Sequence, residues 1–586
     1  MAVSGLTFAC KPHFSLRPPL FHCFRKIQFS SVAAIETLDE PVAFIKDENS
    51  QGPHFSPGRK NVSGEESKLS QWKKLNSQDL GISSSKISKP TRKVLNGLKR
   101  KGYDVYLVGG CVRDLILKRT PKDFDIITTA QLREVVRTFS RCEIVGRRFP
   151  ICHVHVDDTI VEVSSFSTSA RNYGRGLTYE IERPAGSDKN DFVRWRNCLQ
   201  RDFTINGLMF DPYARIIYDY MGGIEDIKKA KVRTVIPAST SFQEDCARIL
   251  RAIRIASRLG FSFSRETAHF VKNLSSTILR LDKSRLLMEM NYMMAYGSAE
   301  ASLRLLWKFG LLEILLPIQA AYFVRNGYRR RDKGSNMLLS LFSKLDRLLA
   351  PNRPCHSSLW VGILAFHKAL SDKPRDPLVV AAFSLAVHNG GDVAEAINIA
   401  KNIKKPHNSS FHELSKPQNL ENRTLVNEVM GLAASVKSTL CQMTDEHFVS
   451  QAMSAYPQAP FSNLVFIPLA LYLKVCKVFE CVTMGGEKGF VAKQGSRINY
   501  ESLALGSLRE VRHTFARVVF DTFGLYCILP LLKPFLFSLS MSHLKHHIGN
   551  LFHRQLGEML ENNHPVRSIQ QLRPKKPLLF FPHWYR

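Results

Sequence analysis

Residues 103–129, YDVYLVGGCVRDLILKRTPKDFDIITT, leave little freedom of fold. The apolar run 105–108 is rich in β-formers, Gly109-Gly110 follows, and a helical period begins at Val112, so the spacing predicts strand, turn and helix. Two glycines at such a turn let the backbone approach a bound group closely. The first N–H groups of the following helix then point at it. A triphosphate is the natural occupant: Arg113 adds a fork of donors suited to phosphate oxygens, and Asp114 can orient that fork. A second strand is expected over 122–128, where side-chain alternation puts Asp123 and Asp125 on one face and Phe124 and Ile126 on the other. Two carboxylates beside a phosphate cradle suit a pair of Mg²⁺ ions, with Mn²⁺ as the alternative.

Alone, D-x-D describes solvated strand acids equally well, and a Gly-Gly turn is no more specific. The ordered set of GGxVRD, eight residues, then DxD is specific, because strand, turn, arginine and acids must coincide. It resembles the nucleotidyltransferases that extend RNA 3′ ends without a nucleic-acid template, the bacterial-type poly(A) polymerases and class II CCA-adding tRNA nucleotidyltransferases. The match runs through Gly109, Gly110, Val112, Arg113, Asp114, Asp123 and Asp125. The resemblance implies an α+β fold: a small mixed-sheet, polymerase-β-like head followed by an all-helical neck, body and tail. The corresponding domains are a transit peptide and disordered segment over 1–60, a linker over 61–92, the catalytic head over 93–235, a nucleotide-selecting neck over 236–310, and an RNA-binding body and tail over 311–586.

Several later segments carry the same resemblance. Glu162, on a strand expected over 159–166, is the third acid, able to join the metal site or to take the proton of an RNA 3′-hydroxyl; a solvated strand acid is the other reading. Residues 200–208, QRDFTINGL, resemble the family's RRDFTIN segment and imply ribose and phosphate contacts for Arg201, Asp202 and Asn206, with Gln200 and Asn197 replacing an arginine and an aspartate. Between them, 167–197 is polar around Gly174-Arg175-Gly176 and is expected as a loop over the site. Ser167 stands there in place of the family's arginine, for which Arg171 or Arg175 can compensate. Residues 219–227 look like the link out of the head. In 244–258, EDCARILRAIRIASR, a helix would align Asp245, Arg248 and Arg251 or Arg254 on one side. Such charges are commonly a solvated face; the resemblance assigns Asp245 and Arg248 to reading the incoming base, with Arg251 beside them.

Around Gly146 a strand pair is expected, with His153 and His155 on one face as ordinary strand histidines rather than a metal pair. The same stretch, 144–154, is similar to the segment that tells bacterial poly(A) polymerases from CCA-adding relatives.

Charge and composition agree with an RNA partner. Lys and Arg number 82 against 51 Asp and Glu, a formal net charge of +31 that calls for a polyanion, nucleic acid before a membrane surface. Twelve scattered cysteines without a C-x-x-C pair indicate reduced thiols. Residues 1–35 have no acid and carry Lys11, Arg17, Arg25 and Lys26 among Ser, Phe, Pro and Ala, which reads as an organelle transit peptide, plastid before mitochondrion, or as a basic tail. Beyond Gly260 the periodicity predicts helices over 265–273, 283–296 and 299–310, with Met288, Met290, Met293 and Met294 as core filler. Arg329-Arg330-Arg331 can touch RNA phosphates or form a solvated loop. Residues 401–423 read as a linker or long loop. The apolar stretches 464–475 and 518–539 are expected as buried helices rather than membrane spans, and His543, His546 and His547 as surface histidines. No recognisable motif follows about residue 320.

The implied partners are an RNA 3′ end and ATP, with CTP in addition for CCA synthesis; oligomeric state is open. The alternatives are an organellar poly(A) polymerase, a CCA-adding enzyme, and an inactive RNA-binding descendant.

Overall fold

Val105–Val108 (β2) is buried along its whole length, which places it inside a sheet rather than at an edge. The computed structural model describes residues 72–146, 150–171, 188–349, 353–404, 411–456, 462–524 and 526–527. Within these, β2 is joined by β1 (Lys73–Asn76), β3 (Asp125–Thr128), β4 (Cys142–Val145), β5 (Ile151–Val156), β6 (Thr159–Ser165), β7 (Leu208–Asp211) and β8 (Ile216–Asp219). The order is β1-β8-β7-β2-β3-β6-β5-β4, antiparallel throughout except for the parallel pair β3–β6. A parallel pair needs a long crossover, and here the crossover holds the helix Leu132–Thr138 and the hairpin β4–β5. The sheet is mixed, as expected, and wider than expected.

Alternation sorts the two faces. Val105, Leu107, Ile126, Val161 and Val163 enter the main core, with Phe124 packed against it. Tyr106, Val108, Ile127, Met209 and Tyr218 form a second, aromatic cluster on the other face, the face that carries Asp125. That cluster is capped by the helix Lys189–Cys198, in a stretch expected to be loop. Its inward residues are polar: Arg194 donates to Asp191 at 2.6 Å, to the Tyr220 hydroxyl at 2.9 Å and to the Tyr106 hydroxyl at 3.0 Å. The guanidinium also lies 4.2 Å from the Tyr218 ring centroid. Lys74 of β1 completes the set at 2.7 Å from Asp191. β1 therefore lies within the stretch 61–92 expected as linker.

The link out of the head folds onto the QRDFTIN segment. Asp219 accepts from the backbone N–H groups of Met221, Gly223 and Ile224, closing the turn. A β-carbon on Gly223 would stand 2.3 Å from the Thr204 carbonyl oxygen, so only glycine permits this approach.

Helices follow: Ala238–Glu244, Ala247–Leu259, Arg265–Asn273, Lys283–Met294 and Ala299–Lys308 in the neck, then Met337–Leu348, Ser357–Asp372, Pro377–Asn389, Asn422–Thr444, Leu469–Thr483 and Leu508–Phe523 among those of the body. Met290, Met293 and Met294 are fully buried filler. Two short strand pairs interrupt the expected all-helical region: β9 (Lys231–Val232) with β10 (Ser262–Phe263), and β11 (Ile403–Lys404) with β12 (Tyr526–Cys527). Of the basic triplet, Arg330 is taken up by the Trp307 ring and Glu313, while Arg329 and Arg331 are exposed. The irregular stretch 411–420 is docked through Glu413, fully buried and accepting from the Tyr322 hydroxyl at 2.5 Å. Among the described residues no helix is long and apolar enough to cross a membrane, and the cysteines from Cys111 to Cys481 are free thiols. Residues 1–71, Gly174-Arg175-Gly176, most of the apolar stretch ending at 539, and His543, His546 and His547 lie outside the described residues.

Candidate active site

The glycine turn is where the chemistry converges. Gly109 has φ +77°, and a β-carbon on it would lie 3.3 Å from Arg201 Nη1 and 3.4 Å from Asp125 Oδ2. The positive φ requires glycine, and the turn brings a guanidinium and a carboxylate to one mouth. Val108 pairs with Asp125, and because Gly109 then turns away, Asp123 has no strand to pair with; β3 begins three residues later than expected. Asp123 is exposed, and no hydrogen bond or ion pair among the described residues engages it. The parallel register Ile126↔Val163 puts Glu162 beside Asp125 on the same sheet face. Burial pushes the Asp125 carboxyl up to about 6; Arg201 opposes this, and Glu162 and Asp123 add to it.

That excess of desolvated negative charge fits a divalent cation. No group of three or more His, Cys, Asp or Glu among the described residues could hold an ion unaided. One or two carboxylates completed by substrate phosphate oxygens are the usual Mg²⁺ arrangement, and Asp123 and Asp125 beside the glycine turn provide it.

Arg113 takes a different part from the one its sequence position suggests. It is 7% exposed, donates through Nε and Nη2 to Asp114 Oδ1 at 2.9 and 2.7 Å, and through Nη1 to Asn206 Oδ1 at 2.7 Å. Asn206 in turn donates to Asp202 Oδ1 at 3.0 Å. Arg251 Nε lies 3.3 Å from Asp202 Oδ2, and its Nη2 is 3.0 Å from Asp245 Oδ2. One chain of charge-assisted contacts thus runs from the glycine-turn helix Gly110–Ile116, through QRDFTIN, into the neck. Arg113 and Asp114 are its buried anchor, and Arg201 is left as the cation at the phosphate side.

The pair expected to read the base is also rearranged. Asp245 precedes the helix Ala247–Leu259 in extended conformation, its Oδ1 accepting from the Ala247 N–H at 3.0 Å. Arg248 turns away into a buried site, where it donates to Glu244 Oε2 at 2.8 Å, Ser241 Oγ at 3.0 Å and the Gln200 carbonyl at 3.4 Å. Asp245 and Arg251 are the pair that faces outward. Glu244, beside the motif, is the partner that sequence reasoning missed.

On the far side of Glu162, His153 Nε2 lies 3.9 Å from its Oε1, and His155 Nε2 lies 3.5 Å from Glu143 Oε1. The histidines each face a carboxylate across the strand ladder. Ser167 shares a hydroxyl contact of 2.8 Å with Ser165 at the start of the helix Phe166–Arg171.

Residues 105–233 match the family described as Poly A polymerase head domain, and residues 260–323 match the one described as Probable RNA and SrmB-binding site of polymerase A. Poly(A) polymerase I of Escherichia coli O6:H1 is 34% identical over 256 residues, 42% of this chain and 54% of that one. Poly(A) polymerase I of Haemophilus influenzae is 32% identical over 252 residues, 41% of this chain and 54% of that one. The CCA-adding enzyme of Geobacillus thermodenitrificans is 36% identical over 220 residues, 37% of this chain and 52% of that one. The chain spans about half the length of these curated relatives.

Proposed function

We propose a function from one premise: residues 105–323 belong to the bacterial-type class II RNA nucleotidyltransferases, the family of poly(A) polymerases and CCA-adding enzymes. On that premise the chain is a template-independent RNA 3′-end nucleotidyltransferase, and specifically a poly(A) polymerase. The segment 144–154 carries the choice. Its described residues pair across β4 and β5, and His153 of β5 stands opposite Glu162, so the poly(A)-like stretch borders that acid.

In the reaction, the RNA 3′-hydroxyl attacks the α-phosphate of ATP, the bond from that phosphorus to the bridging oxygen breaks, and pyrophosphate leaves. Asp123 and Asp125 would hold the metal ions, which when bound would supply charge that favours deprotonation of the hydroxyl and departure of pyrophosphate. Glu162, next to Asp125, is placed to take the hydroxyl proton. The N–H groups at the start of Gly110–Ile116 and the Arg201 guanidinium receive the phosphates. Asp245, held by Arg251 and still accessible, accepts from the amino group on the base edge.

Arg251→Gln should therefore free both Asp202 and Asp245, raising KM for ATP on the order of tenfold while KM for RNA stays within about twofold. Equal rises in both would remove Arg251 from nucleotide selection.

An extension assay on the full chain tests the reading. A generic RNA and a tRNA lacking its CCA are each given ATP alone or ATP with CTP, beside Asp123→Ala/Asp125→Ala. Long A tails from ATP alone support the polymerase, whereas addition ending at CCA moves the assignment to tRNA maturation. Absence of any mutant-sensitive extension leaves an RNA-binding protein. We assign the chain to an organelle, plastid before mitochondrion, on the composition of residues 1–35; a fluorescent fusion to residues 1–60 that stays cytosolic would overturn this.

A further inference from the structure

Beside Asp123 the head meets the neck through aromatic rings and cations that none of the roles above uses. Tyr292 and Tyr296 are one turn apart on the helix Lys283–Met294 and the residues just after it, their ring centroids 5.5 Å apart and inclined by 40°. Both are half-buried, so each keeps some ring surface open. From the head, the Lys122 ammonium lies 4.9 Å from the Tyr296 centroid and 5.8 Å from that of Tyr292. Lys122 is exposed and is the chain neighbour of Asp123.

From the neck helix Ala247–Leu259, the Arg254 guanidinium lies 4.8 Å from the Tyr292 centroid. Part of its charge is answered by Glu289, 3.4 Å away, which also pairs with Arg285. Arg258 is one turn further along. Its backbone carbonyl is held by Arg119 at 3.1 Å, and its half-buried guanidinium has a pKa lowered by burial, with Asp114, Arg113, Arg254 and Asp123 all within electrostatic reach. The Tyr296 hydroxyl, raised by burial, feels Arg258, Asp123 and Arg254 as well. Tyr296 and Arg258 thus lie within electrostatic reach of the exposed acid.

Two inclined aromatic faces with three cations around them are the elements with which proteins hold single-stranded nucleic acid: bases stack, and cations take the phosphates. On the proposed reading the phosphates are received at Gly109 and Arg201, next to Asp125, and the base edge at Asp245. The strand entering from Asp123's other side is the nucleophile's. We propose that Tyr292 and Tyr296 form the stacking platform for the 3′-terminal base of the RNA, with Lys122, Arg254 and Arg258 on its last phosphates. This rests on the nucleotidyltransferase reading. Lys122 and Arg254 occupy the rings until RNA phosphates draw them off, so the platform opens as substrate arrives.

The test compares an RNA with its counterpart abasic at the 3′-terminal nucleotide, on the full-length wild type, Tyr292→Leu/Tyr296→Leu and Tyr292→Phe/Tyr296→Phe. For the wild type, loss of the terminal base should raise KM for RNA on the order of tenfold. The Leu variant should show that raised KM already with intact RNA and no further rise with the abasic one, while KM for ATP holds; the Phe variant should behave as wild type. An additive loss in the Leu variant, or a rise in KM for ATP in place of RNA, overturns the platform, the latter assigning the rings to the incoming base. Binding by fluorescence anisotropy, with photocrosslinking of RNA bearing a 3′-terminal 5-iodouridine, reads the same site without turnover. Crosslinks at Tyr292 or Tyr296 support it even in a chain that fails to extend RNA, and crosslinks confined elsewhere refute it.

Discussion

Asp125→Asn is expected to lower the rate of RNA extension by on the order of 10³-fold, and at the same time to make the metal-free protein more stable. The two effects share a cause. Asp125 is buried against the glycine turn with Glu162 and Asp123 near it, and Arg201 only partly compensates, so its carboxyl is pushed up from 3.8 to about 6. The folded chain therefore binds this proton more tightly than the unfolded chain does. Stability falls as pH rises from about 4 to about 6, and above that the full penalty of about 2 to 3 kcal/mol is present. Asparagine has no charge to bury, so urea melts in EDTA should coincide near pH 4 and separate by pH 8 with the variant the more stable. Added Mg²⁺ should then raise the wild type alone. Equal stability at pH 8 would mean that the acids are not held against one another, and the metal site would lose its physical basis.

The legibility of this chain followed the apolar pattern. β2, the helix Arg265–Asn273 and the buried methionines are where periodicity puts them, because their inward residues are hydrophobic. The helix Lys189–Cys198 hid from the same reasoning: the residues it buries are Asp191, Arg194, Asn197 and Cys198, and a polar inward face looks like a loop until its partners Tyr106 and Tyr220 are in place. β1 is similarly invisible, since KKLN is mostly exposed and is held by its ladder with β8 and by Lys74 on Asp191.

The site was legible as a set of residues, and less so as a set of roles. Gly109, Asp125, Glu162 and Arg201 gather at one mouth. Whether an arginine's fork is free or already spent depends on contacts 93 residues apart, such as that of Arg113 with Asn206, and no local spacing reports them. Asp245 left the helix for the same kind of reason: it ends the preceding helix Ala238–Glu244 with extended backbone, so it cannot continue the turn that carries Arg248 and Arg251.

Arg113→Ala decides between those two parts for the arginine. As the buried anchor of the chain from Asp114 to Asp245, its removal leaves the Asp114 carboxylate in a site only 8% exposed without a partner and takes a donor from Asn206. Breaking a buried pair from one side costs about 3 to 5 kcal/mol, a large share of the stability of a domain. Arg113→Ala/Asp114→Ala should recover part of that loss, because no uncompensated charge is then buried, and the cycle should return a coupling of about 2 kcal/mol in urea unfolding. Lysine at 113 should not restore it, since one ammonium cannot span Asp114 and Asn206 together. The phosphate-contact role predicts the reverse: near-normal unfolding, no coupling with Asp114, and a loss confined to turnover. The buried geometry favours the first outcome, with KM for ATP rising as a consequence, because Asp202 and Asn206 are positioned through Arg113 rather than beside it.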